Sequence, residues 1–118
     1  MPEVTSEHVK YFAERCRYWQ HQFGLTNWRL YVDQRDDSSD LAWADGDDSA
    51  LIFKICISTE WNEPVTNEEI NATAFHEIAH ALLRPLVELA EAHNSAQDVE
   101  RVEHAIIHRI SNAALGSA

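Results

Sequence analysis

The chain has 118 residues, 45% of them hydrophobic and 25% charged, the make-up of one soluble globular domain, 1–118, with apolar mass for a single core. Twenty acidic residues against nine Lys and Arg give a formal charge of −11, so a nucleic-acid backbone meets net repulsion that no basic cluster offsets. No apolar stretch approaches the roughly 20 residues that span a bilayer, and MPEVTSEHVKYF carries charge where a secretory signal would be apolar; the expectation is a cytoplasmic protein without nucleic-acid or membrane partners, with Cys16 and Cys56 as buried thiols.

Val9, Phe12, Ala13, Cys16, Trp19 and Phe23 recur at steps of three and four, which predicts a helix over 6–22 with one apolar stripe. Ser6 is its expected N-cap and Gly24 its stop. Trp28, Leu30 and Val32 alternate with Arg29, Tyr31 and Asp33, the pattern of a strand with one face on a core. QRDDSSD cannot pack and reads as an exposed acidic loop, without the ligand order of an EF-hand. Residues 41–45 read as a second strand, Asp45-Gly46-Asp47 as a turn, and 50–58, rich in Leu, Ile and Phe, as a third strand. After the connection STEWNEP, Thr66 and Glu69 form a capping-box pair that opens a helix from 67 to Leu83 or Arg84, where Pro85 ends it. Residues 85–94 suit a short helix or an ordered loop equally. Ser95 and Asp98 cap a last helix running to about Ala114, ahead of Gly116. Trp19, Trp28, Trp43 and Trp61 read as core or rim packing, and His8, His21 and His108 as solvated side chains.

The chemistry concentrates in His76-Glu77-Ile78-Ala79-His80. Positions i and i+4 of a helix share one face, so His76 and His80 can present two imidazole nitrogens to one ion about 2.0–2.1 Å away. Glu77 is turned about 100° from His76, which lets it reach a water beside the metal rather than the metal itself, the position of a general base. A shuffled chain of this composition would hold HExxH in roughly 4% of cases, so context decides. The pattern lies within a capped helix among Ala74, Phe75, Ile78, Ala79, Leu82 and Leu83, and two histidines at this spacing beside a glutamate are poorly explained as packing.

A third ligand falls to the last helix. On a wheel of 100° per residue, Val99, Val102, Ile106, Ile107 and Ile110 define its apolar face, with Glu103 about 35° from the centre of that face and Glu100 nearly 95° away. His104 and His108 lie farther round, toward water. A carboxylate in an apolar stripe is costly unless paired or metal-bound, which favours Glu103 over Glu100 as the ligand; an ion pair of Glu103 with Arg84 or Arg29 is the other account. Two imidazoles and one carboxylate would leave an open position on zinc, as catalytic sites do.

The succession FGLTNWRLYV, an acidic loop, ALIFKICIS, AFHEIAHALLRPL and VEHAIIHRI resembles the small HExxH metallopeptidase-like proteins of phages and prophages, relatives of the minimal gluzincins, over nearly the whole chain. The resemblance implies zinc bound by His76, His80 and Glu103, with Glu77 as base. It also implies an α+β, minimal zincin-like fold: an N-terminal helix, a small three-stranded twisted sheet, the HExxH helix and a C-terminal ligand-bearing helix. The expected activity is hydrolysis of a peptide or protein substrate lying extended along the sheet edge, where Ile55 or Ile57 would sit. Tyr31, His93 or His104 would supply the oxyanion donor. The alternative is a zinc-containing binding or assembly module that cuts nothing.

Overall fold

Thr5, one residue ahead of the expected cap, starts the first helix. Its Oγ1 accepts from the His8 N–H at 3.2 Å while His8 Nδ1 accepts from the Thr5 N–H at 3.0 Å, so two orphan donors are satisfied reciprocally and His8 is a capping group rather than a solvated one. Helix α1 then spans Ser6–Gln22, and Gly24 beyond it takes φ +72°, a left-handed conformation that costs glycine little. The computed structural model describes residues 2–35, 41–47 and 51–116; the acidic run from 36 to 40 lies outside them.

Three strands follow, β1 (Arg29–Arg35), β2 (Ala42–Asp47) and β3 (Ile52–Ser58), in the spatial order β1-β3-β2. β1 runs parallel to β3 with Val32 opposite Ile55, and β2 runs antiparallel to β3 with Ala44 opposite Ile55. β1 alternates exposed and half-buried residues, as its pattern predicts. Ile55 and Ile57, expected on an edge, are fully buried in the central strand. The near-continuous apolar run IFKICIS belongs in a strand covered on both faces, and the edge that approaches the HExxH helix is β2. Asp45-Gly46-Asp47 is strand rather than turn, paired with Lys54, Phe53 and Ile52; an edge strand needs only one partner and tolerates such residues.

Helix α2 (Asn67–Glu91) is capped by Thr66, whose Oγ1 accepts from the Glu69 N–H at 3.2 Å. It does not end before Pro85. Proline removes one N–H and crowds the preceding turn, yet the helix continues past it because Val87, only 7% exposed, is seated beyond the interruption. Helix α3 (Ala96–Leu115) starts on Ser95 Oγ, which accepts from the Asp98 N–H at 3.1 Å, and stops at Gly116 with φ +68°. The molecule is α+β, three helices and a small mixed sheet. α2 is its axis, touching α1, β2 and α3. Phe12, Cys16, Phe53, Ile55, Ile70 and Ile78 meet in the main core, while Phe75, Ala79 and Ile107 form a second cluster that fastens α3 to α2.

Candidate metal centre

The second cluster sets the site. Phe75, adjacent to His76, is fully buried and meets Trp19 edge-on at 4.9 Å and Phe23 at 5.3 Å between ring centroids. Ile107, also fully buried, packs on Phe75 and Ala79 from α3, one turn after Glu103 and His104. Asn71 ties α1 to α2, its Oδ1 accepting from Arg15 Nε at 2.7 Å and from Trp19 Nε1 at 2.9 Å. Residues on both helices therefore have their backbones held before any ligand binds.

On that support His76 Nε2 stands 3.3 Å from His80 Nε2. Two ligands about 2.0–2.1 Å from one ion at a tetrahedral angle stand roughly this far apart. His104 reaches the same place from α3: its ring stacks on His76 at 5.5 Å and meets His80 edge-on at 5.2 Å. The donor atoms of His76, His80 and His104 all lie within 4.8 Å of one another, close enough to bind one metal ion. Glu103, expected beside the metal, instead has Oε2 2.8 Å from His80 Nδ1, with its side chain 11% exposed. It accepts from Nδ1–H and so leaves Nε2 as a lone pair on the side facing His76. Glu100, the other carboxylate weighed for this place, is exposed and 4.0 Å from His104 Nδ1. Arg84 is engaged by Glu88 at 3.1 Å, not by Glu103.

The helical wheel turns His104 toward water, and its side chain is indeed 37% exposed, but its ring also faces His76 and His80. The wheel counted only the apolar face of α3, whereas α3 meets α2 on one flank and borders a cleft on the next. The signal for it was a second pair at i, i+4: His104 and His108 repeat on α3 the spacing of His76 and His80 on α2. His108 stands 6.1 Å from the His76 ring. Burial, and then the neighbouring His80, His104 and His108, push the His76 pKa down to about 4, so its imidazole is neutral at pH 7 and one ring nitrogen keeps a lone pair for a cation.

Glu77 is buried, with 6% exposure, on the flank of α2 next to His76. Burial raises the pKa of the Cys16 thiol, and the Glu77 carboxylate adds to that rise, so Glu77 backs onto α1 while its other side opens to the cleft. The cleft has two arms that share Ala42, His76 and Glu77: one of about 400 Å³ between β2, α2 and α3, and one of about 420 Å³ reaching Thr73, His108 and Ser111. Alanines at 42 and 44 on the β2 edge leave this space open. Tyr31 is half exposed on β1, across the sheet from the cleft, and His93 is exposed beyond the end of α2; neither borders either arm. Cys16 and Cys56 are buried free thiols, as expected. No helix among the described residues is long and apolar enough to cross a membrane. Comparison with family models, with curated proteins and with solved structures finds no match to this chain.

Proposed function

We propose that the chain is a zinc-dependent metallopeptidase of minimal zincin type, resembling the HExxH proteins of phages and prophages. The observation that carries the reading is the 3.3 Å separation of His76 Nε2 and His80 Nε2, with a third imidazole in reach and a buried glutamate one residue along in the same cleft. Imidazole donors suit zinc better than magnesium or calcium, which take oxygen ligands. His76, His80 and His104 are the ligands in this reading, and Glu103 positions His80. Zinc there would supply a Lewis acid that acidifies water and polarises a carbonyl. Glu77 takes the proton from the attacking water and returns it to the departing amine, so that the amide bond breaks with no net proton change. The outer edge of β2, which pairs with no other strand among the described residues and borders both arms of the cleft, offers main-chain hydrogen bonds to an extended peptide.

The test begins with elemental analysis of the purified protein, next to His76→Ala and Glu77→Gln. One zinc per chain, lost in His76→Ala and kept in Glu77→Gln, is the expected result. Cleavage of a peptide library should then be present in the wild type and absent in Glu77→Gln. Full zinc content with no cleavage by the wild type would make the centre part of a binding module, and cleavage that survives Glu77→Gln would remove that residue as the base.

A further inference from the structure

The proposed cleavage leaves one task without a residue. When the water oxygen adds to the amide carbon, the C=O π pair moves onto the carbonyl oxygen and the water's proton goes to Glu77; the charge on that oxygen is stabilised by an N–H or O–H donor until the pair returns and the C–N bond breaks. Of the three side chains expected in this role, Tyr31 and His93 border neither arm of the cleft, and His104 has its place in the cluster with His76 and His80.

The arms differ in what lines them. His80, Arg84 and His104 border the first arm alone, His108 the second alone, and His76 and Glu77 both. A carbonyl lying beside His76 and Glu77 and reaching into the second arm therefore meets His108. The ring of His108 stands 6.1 Å from that of His76, and it is not one of the three donors within 4.8 Å of one another; it adjoins the ligand cluster, one turn along α3 from His104, without joining it. A donor placed one step outside the cluster suits an oxygen held against that cluster, which it must approach to about 2.7–3.1 Å. The competing donors are less well placed. Arg84 is held by Glu88 at 3.1 Å and lies one turn past His80, away from the arm that Glu77 shares with His108. Thr73 and Ser111 line the second arm a turn farther out, beyond His76 on α2 and beyond His108 on α3. The side chain of His108 is exposed, and no hydrogen bond or ion pair engages its ring among the described residues. An imidazole carries at least one N–H whether neutral or protonated, so the donor is present in either form.

We propose that His108 is a catalytic residue of this cleft, the hydrogen-bond donor to the substrate carbonyl oxygen as it takes on charge, and that it neither binds the metal nor transfers a proton. The inference rests on the peptidase reading. His108→Ala and His108→Gln, as zinc-loaded full chains, test it against the wild type with the best-cleaved library peptide and with the phosphonate isostere of that peptide, whose charged oxygens stand in for the carbonyl oxygen. His108→Ala should keep the zinc content and circular dichroism of the wild type, lose about 10²–10³-fold in kcat with KM within about threefold, and bind the phosphonate more weakly by the factor lost in kcat/KM. His108→Gln, which returns an N–H donor, should recover about tenfold of each loss. A wild type that cleaves nothing removes the peptidase reading itself, and this inference with it. Cleavage by the wild type, with His108→Ala within about threefold of it in both kcat and phosphonate binding, overturns the inference alone. Zinc lost from His108→Ala as from His104→Ala also overturns it, by making His108 a ligand.

Discussion

Replacing Glu103 by alanine separates a group that orients a ligand from a ligand. Its carboxylate lies 2.8 Å from His80 Nδ1 at 11% exposure, which makes it the acceptor that fixes the tautomer and ring angle of His80. Loss of such an outer partner usually weakens metal binding by about 10–100-fold, or roughly 1.4–2.8 kcal/mol at 1.4 kcal/mol per tenfold. Glu103→Gln keeps a carbonyl acceptor for Nδ1–H and should stay near the mild end of that range. His80→Ala removes a donor outright and should lose more than the upper limit, as should His104→Ala. Zinc affinity read by competition with a chromophoric chelator at pH 7 gives all four values, with circular dichroism to confirm that each variant is folded. The reasoning fails if Glu103→Ala loses as much affinity as His80→Ala while His104→Ala binds like the wild type. In that case the carboxylate turns from Nδ1 to the ion, and the third ligand is the one that the sequence pattern singled out.

Phe75→Ala empties a fully buried site between Trp19, Phe23 and Ile107, and should cost about 3–5 kcal/mol in urea unfolding; a cost under 1 kcal/mol would mean that the second cluster does not hold α3. Asn71→Ala leaves the Trp19 indole N–H and the Arg15 guanidinium without their shared acceptor and should cost about 1–3 kcal/mol by the same assay. Thr66→Ala removes the cap on the Glu69 N–H and should cost about 1 kcal/mol. Cys16 and Cys56 are 0% and 2% exposed, and burial raises both thiol pKa values, so a disulfide reagent at pH 8 should modify neither until denaturant is added; fast modification of the native chain would contradict the packing of α1 and β3.

The elements were legible wherever the local pattern had one interpretation. The stripe from Val9 to Phe23, the alternation after Trp28 and the Ser95 cap each correspond to an element of the structure within a residue or two. Pairing was harder, because the order β1-β3-β2 depends on which strand finds cover on both faces, a property of the assembled molecule; the run IFKICIS held that information, but its buried isoleucines were assigned to an edge. In the candidate site, the closeness of His76 and His80 followed from helical spacing alone. The placement of His104 did not, since it depends on how far α3 is rotated about its axis against α2. That rotation is set by Ile107 reaching Phe75, a contact between residues 32 positions apart in the chain.

Pro85 divides α2 in a way that bears on amide hydrogen exchange. It has no N–H to return to the Ala81 carbonyl, so the hydrogen-bond ladder is interrupted between the part that carries His76, Glu77 and His80 and the part that carries Leu86 and Leu89. The earlier part is anchored by Phe75, Ile78 and Ala79, all essentially without solvent contact, whereas Val87 alone is buried in the later one. Opening of the last turns then need not spread toward the histidines. Amides from Leu86 to Glu91 should exchange orders of magnitude faster than those from Phe75 to Ala81, in a single helix whose two ends answer to different equilibria.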